Sequence, residues 1–350
     1  MESKTLILKN LLYEELQAYL EELDLPRYRA SQIYDWVYQK KANNWETMTN
    51  LPNTLRRKLS DLGVVIGLLE MESKLTAADG LTKFLFKLPD QKLIESVFIP
   101  EGERNTICFS TQVGCGMGCV FCATGRSGLT RNLMTAEIVD QIVRVEVLTG
   151  TRLTNLVAMG QGEPLANYDA LLKAIRIINH PQGLAIGARR ITISTCGIVP
   201  AIIKLAAEPF QVNLAISLHA ATDELRNQLM PINKRYPLAK LIAAIKEYIR
   251  ATGRRVTYEY TLVAGVNDRP VDLENLIRLL SGMLCHVNLI PFNQIPETGF
   301  TRSEPERIRD FVLGLNQAGI EATVRKERGS QLTAACGQLR GSRCGCPQEN

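Results

Sequence analysis

Cys115, Cys119 and Cys122 follow one another in the order C-x3-C-x2-C, within eight residues of a 350-residue chain. Three closely spaced thiolates suit a cubane iron–sulfur cluster that keeps one of its four irons open for another ligand. A four-cysteine set would close the cluster off. The same spacing suits a zinc loop less well, because a structural zinc takes four protein ligands and no fourth is near in sequence. The chain's histidines are only His180, His219 and His286, far from zinc-finger spacing. The glycines at 114, 116 and 118 let backbone wrap closely round a cofactor.

Other chemistry-bearing runs lie far along the chain: Gly160-Gln161-Gly162-Glu163-Pro164-Leu165, Ser194-Thr195-Cys196-Gly197, Ser217-Leu218-His219 and Pro291-Phe292-Asn293. A carboxylate such as Glu163 can accept from an ammonium group, and the glycine before it lets backbone pair with the same ligand. Ser194, Ser217, Leu218, His219 and Asn293 offer neutral contacts for a ribose, a carboxylate or a base. Taken singly, each is ordinary at a strand end or cap.

Their spacing follows the elements that must position them. Strands are expected at 106–110, 153–159, 190–194, 212–218, 256–263 and 287–291, with amphipathic helices at 136–148, 171–178, 238–249 and 272–280 between them. Strands alternating with helices build a parallel sheet. Six units are too few for a closed eight-stranded barrel, so the fold class is α/β, a partial (β/α)6 barrel. Every candidate run follows a strand end, where barrel enzymes gather their reactive groups. Ahead of the barrel, 11–23, 31–41 and a stretch from 51 towards 62 carry helical periodicity, and 82–88 with 93–99 reads as a β-hairpin round Pro89-Asp90. The expected units are a helical region 1–65, a hairpin extension 66–100, the barrel 101–328 and a C-terminal segment 329–350.

At 45% apolar and 22% charged residues the composition is that of a soluble globular protein, with no apolar run of membrane length and no export signal at the N-terminus. Nine cysteines in such a chain point to a reducing cytoplasm and to chemistry rather than stapling. The net charge of +5 is a modest sign of an anionic partner. Residues 25–60 hold seven basic side chains, including Arg56, Arg57 and Lys58, against Asp35 and Glu46. These read equally as an RNA surface or a solvated face. The interleaved Tyr28, Tyr34, Trp36, Tyr38 and Trp45 read better as a small core.

The chain resembles the radical S-adenosylmethionine (SAM) superfamily in its cysteine loop. More narrowly, it resembles the dual-specificity ribosomal and transfer RNA adenine-C2 methyltransferases. That resemblance runs over about residues 10–340 and rests on Ile94-Glu95-Ser96-Val97, Cys108-x6-Cys115-x3-Cys119-x2-Cys122, Gly162-Glu163-Pro164-Leu165, Ser217-Leu218-His219-Ala220, Asn288-Leu289-Ile290-Pro291 and Ala334-Ala335-Cys336-Gly337-Gln338-Leu339. It implies a [4Fe-4S] cluster on Cys115, Cys119 and Cys122, with SAM bound at the open iron and by Gly162, Glu163, Ser194, Ser217, Leu218, His219 and Asn293. Carbon 2 of adenine is too electron-poor to attack the SAM methyl, which is why radical chemistry is needed. In the family mechanism one SAM methylates a cysteine, here matched by Cys336. A radical from a second SAM takes hydrogen from that methyl, and the resulting carbon radical adds to the base. Cys108 then releases the product by forming a disulfide with Cys336, and Glu95 removes the carbon-2 proton.

The implied substrates are an adenosine in the peptidyl-transferase loop of 23S rRNA and one in tRNA anticodon loops. An electron donor such as flavodoxin or ferredoxin, a cytoplasmic setting and no membrane partner go with them. Without the resemblance, Cys108 and Cys336 would pass as core residues. Cys196 and Cys285 read as packing residues, and Cys344 and Cys346 match no motif. Methylation at carbon 8 shares the cluster and both mechanistic cysteines, and a non-catalytic iron–sulfur RNA-binding protein is a reading from another class.

Overall fold

The computed structural model of the chain describes residues 6–293, 295, 298–326, 328, 332 and 338. Cys336, Cys344 and Cys346 lie outside them. The main sheet begins with three antiparallel strands, β1 (Glu70–Thr76), β2 (Thr82–Lys87) and β3 (Leu93–Glu101), and β3 pairs antiparallel with β4 (Arg104–Cys108). A separate small ribbon is made by β5 (Gln112–Gly114) and β6 (Leu129–Asn132). From β4 onward every neighbour in the main sheet is parallel: β7 (Asn155–Ala158), β8 (Ile191–Thr195), β9 (Asn213–Ser217), β10 (Val256–Leu262), β11 (Cys285–Pro291) and β12 (Ala322–Val324).

The six expected barrel strands are therefore present in order, and the α/β partial barrel stands. The structure adds four strands that periodicity did not announce, the ribbon β5 and β6 and, in the main sheet, β1 and β12. β1 is mostly exposed and lacks an apolar alternation, and β12 is only three residues long. The helices Val199–Ala206, Asp223–Leu229 and Pro305–Gln317 were also unanticipated. Apolar, β-branched runs make the central strands; their outer faces pack in the hydrophobic core, while Thr192, Ala215, Thr257 and Glu259 face a cavity on the inner side.

The helices Tyr13–Glu22, Tyr28–Tyr34 and Asn53–Asp61 precede the sheet. Tyr34, Tyr38 and Trp45 are core residues, as expected of all five aromatics, but Tyr28 departs from that expectation and is exposed. The N-terminal helices join the barrel in one continuous hydrophobic core. On the helix Thr135–Thr149, Ile138, Val139, Ile142, Val143 and Val145 are buried, each such side chain contributing about 1.5–3 kcal/mol. Asp140 on the same helix takes the N–H groups of Leu68 (2.7 Å) and Leu69 (2.8 Å) and an ion pair from buried Lys9. One carboxylate thus fastens the N-terminal helices to the barrel wall.

Candidate functional site

The cysteine loop is closed by the ribbon of β5 and β6. Cys115 donates its N–H to the Gly128 carbonyl at 2.8 Å, and Cys122 donates to Cys119 at 3.1 Å. Gly114 must be glycine: a Cβ there would lie 2.0 Å from the Gly128 oxygen, and its φ is +77°. Val120 bonds across to Leu229 at 3.1 Å, joining the loop to the segment after β9.

The three cysteines line one cavity of about 160 Å³ together with Gly162, Glu163, Ser194, Ser217, His219 and Asn293. These residues are separated by up to 178 positions in the chain, and the strand ends of a parallel sheet bring them together. Gly162 carries φ +103° and packs so closely on Gln112 that a Cβ would sit 2.6 Å from it. The Glu163 carboxylate accepts the N–H of Leu165 (3.0 Å) and of Cys196 (2.8 Å), and its own N–H donates to Gln112 Oε1 (2.8 Å). Burial raises the Glu163 pKa, opposed by those hydrogen bonds. His219 accepts the Thr261 N–H on Nδ1 at 3.0 Å and meets the Phe121 ring edge-on at 4.8 Å. Burial, helped by Arg226, pushes its pKa down to about 3, so it serves as a neutral imidazole. The Ser194 and Ser217 hydroxyls stand 3.5 Å apart. Leu218 does not line the cavity; its side chain is in the hydrophobic core.

A larger cavity of about 870 Å³ runs through the barrel and shares Met159, Glu259, Ile290, Asn293 and Arg325 with the first. Cys108 lines it. Val97 on β3 stands directly opposite Cys108 on β4, and Glu95, two residues earlier, shares their face of the sheet. Glu95 is buried, lines neither cavity, and pairs with the buried Lys83 ammonium at 3.2 Å. Leu332, four residues before Cys336, packs against Leu81, Val97, Cys108 and Val157. Arg328 secures the same segment, donating to the Pro100 carbonyl (2.8 Å) and to Glu101 (3.1 Å). Among the described residues no two cysteines are joined by a disulfide.

Similarity to known proteins agrees with this geometry. Residues 7–65 match the family model for the ribosomal RNA large subunit methyltransferase N-terminal domain, and residues 109–280 match that for the radical SAM superfamily. The solved radical SAM methyltransferase of Sphaerobacter thermophilus superposes with a TM-score of 0.93 at 48% identity, covering 96% of this chain and 100% of that one. The probable dual-specificity RNA methyltransferase RlmN of Thermoanaerobacter sp. (strain X514) is 48% identical over 333 residues, 95% of this chain and 97% of the relative. This chain belongs to the RlmN family. The RlmN protein of Geobacillus kaustophilus is likewise 48% identical, over 95% of this chain and 91% of its own length. The chain is thus a SAM-dependent RNA methyltransferase of the radical SAM type.

An RlmN-type enzyme implies SAM and a [4Fe-4S] cluster, and the residues present fit both. The three thiols are half-buried around a single chamber. Burial pushes the Cys115 thiol up to about 11 and raises that of Cys119, and the neighbouring cysteines and Glu163 add to both. A group bound there as a thiolate complex has to bring positive charge of its own, as irons do. The carboxylate and neutral polar groups across the chamber suit the ammonium, hydroxyl and base parts of SAM.

Arg226 and Asn233 were not singled out by sequence. Arg226 is fully buried and donates to the carbonyls of Leu218 (3.1 Å), Cys196 (2.7 Å) and Ser217 (3.2 Å) and to Asn233 Oδ1 (2.8 Å), lacing the ends of β8 and β9 together. Gln161, in the expected run after β7, accepts the Glu95 N–H at 3.0 Å. Cys196 and Cys285 are both packed among buried apolar residues, as expected, and Cys196 in addition lines the chamber and donates its N–H to Glu163. Buried polar groups such as these carry no periodic signal.

Proposed function

We propose that the enzyme methylates carbon 2 of an adenosine in the peptidyl-transferase loop of 23S rRNA and in tRNA anticodon loops. The observation that supports this most directly is the shared sheet face of Glu95, Val97 and Cys108, with Leu332 of the C-terminal segment packed on it. Cys115, Cys119 and Cys122 hold the cluster. Glu163, Gly162, Ser194, Ser217, the Leu218 backbone, His219 and Asn293 hold SAM. Together these cofactors supply, when bound, a radical that takes hydrogen from a methyl group. Cys336 carries that methyl, Glu95 takes the proton from carbon 2, and Cys108 frees the product by closing a disulfide with Cys336. Residues 1–65 serve RNA recognition, 66–100 and 101–328 carry the site, and 329–350 deliver Cys336. A flavodoxin or ferredoxin supplies electrons, and the setting is the cytoplasm; among the described residues no helix is long and apolar enough to cross a membrane.

The test is nucleoside mass spectrometry of RNA treated with the reconstituted enzyme. 2-Methyladenosine in both RNAs is expected, and 8-methyladenosine would replace the reading by the carbon-8 one. In the same assay Cys336→Ala should make no methyladenosine. Cys108→Ala should retain RNA covalently on Cys336, detected by peptide mass spectrometry after nuclease digestion. Normal product from either variant would require another mechanism.

A further inference from the structure

The outward side of the cysteine loop is covered by little protein. Gly116 and Gly118 are exposed, and Leu129, whose side chain comes to 3.5 Å from a Cβ built at Gly116, is 49% exposed. Pro231 approaches Gly118 in the same way at 3.6 Å, so the turn Pro231–Lys234 lies against the loop. Gly125, in the short helix that starts after Cys122, abuts the Cys119 backbone, with Cβ distances of 3.0 and 3.1 Å to its N and O. Each of these segments ends in an exposed cation: Arg126 on the helix, Lys234 and Arg235 on the turn. Among the described residues none of the three forms an ion pair within 4.0 Å. Arg131, also on this side, is by contrast neutralised by Asp90 and Glu137, each at 2.8 Å.

Three unpaired positive charges around a thin, partly apolar wall favour an acidic protein partner. An RNA substrate has instead to bring its base to the inner chamber and to Cys108. We propose that this rim of Arg126, Leu129, Lys234 and Arg235 is the docking surface for a small acidic electron carrier of the flavodoxin class. One electron passes across the glycine-rich wall from the reduced carrier, whose anionic flavin hydroquinone becomes the neutral semiquinone, to the cluster, which goes from the 2+ to the 1+ state; no bond is made or broken and no proton is released. Charge attraction sets the encounter, so a small interface is enough; transient electron-transfer contacts bury less than about 1,200 Å². The proposal rests on Cys115, Cys119 and Cys122 as cluster ligands and is independent of which carbon is methylated.

The test compares the cluster-loaded enzyme with its Arg126→Glu/Lys234→Glu/Arg235→Glu variant, all three positions being exposed. Binding of oxidised flavodoxin is followed by calorimetry across a salt series, and the rate of cluster reduction by reduced flavodoxin by absorbance and EPR. Both affinity and rate should fall by about 10- to 100-fold at low salt, and the salt dependence should flatten. The extent of reduction by dithionite and the affinity for RNA should be unchanged. Undiminished flavodoxin binding and reduction would overturn the proposal, and lost RNA affinity with flavodoxin binding intact would hand the rim to RNA. Wild-type protein without dithionite-reducible iron would remove the ligand reading and this proposal with it.

Discussion

Glu163 accepts the backbone N–H of Cys196 at 2.8 Å, so the carboxylate after β7 is held by the loop after β8. Its other oxygen takes Leu165 N–H at 3.0 Å. An oriented, buried carboxylate suits an ammonium ligand, whose charge offsets the cost of burial. Glu163→Gln should therefore weaken SAM binding by about 10- to 100-fold, the value of a charge-assisted hydrogen bond. Equilibrium dialysis with labelled SAM measures this, and iron content should be unchanged.

The cysteine loop makes a sharper demand. Replacing Cys115, Cys119 or Cys122 singly with alanine should abolish cluster absorption and reductive cleavage of SAM in anaerobically reconstituted protein. Wild-type iron and cleavage in all three variants would remove the cluster assignment.

The basic helix Asn53–Asp61 presents Arg57 and Lys58 to solvent, while Arg56 donates to the Glu46 carbonyl (2.8 Å) and Lys58 to the Leu23 carbonyl (2.7 Å). Neutral carbonyl partners leave the positive charge available to phosphates. Arg56→Glu/Arg57→Glu/Lys58→Glu should weaken RNA binding and lower the log–log salt slope by up to about 3. RNA-free methylation of Cys336 should survive. An unchanged affinity and slope would make this cluster a solvated face.

The buried imidazole of His219 sets a pH dependence. Its folded pKa, about 3, lies below the ordinary value of 6.5, so between those values the unfolded chain binds more protons. Stability is then highest above pH 6.5 and falls as pH drops towards 3, by at most about 1.4 kcal/mol per pH unit from this one group. Protonation of Nδ1 would also cost the bond from the Thr261 N–H. Thermal melts from neutral to acid pH should show His219→Gln with a shallower decline than wild type. Equal slopes would mean that His219 titrates freely.

Much of the barrel was legible because its strands and helices repeat at short range. The run Val256–Leu262 announces β10 by its own composition, and Leu238–Thr252 announces a helix by its apolar spacing. β1, exposed and irregular, carries no such signature, and β12 owes its existence to pairing with β11. Buried ion pairs escaped for the same reason: Lys83 with Glu95, and Lys9 with Asp140, are ordinary surface residue types until the fold encloses them.

The spacing of Cys115, Cys119 and Cys122 and the alternation of strands with helices are written locally, so the sequence by itself determined the type of cofactor loop and the α/β architecture. Convergence was decided only in three dimensions. Strand order and register carry Glu163, Ser194, Ser217, His219 and Asn293 to one chamber with the cysteines, set Val97 opposite Cys108, and thread Arg226 behind the ends of β8 and β9. Residues far apart in the chain meet through sheet order and packing, which no local pattern of side chains encodes.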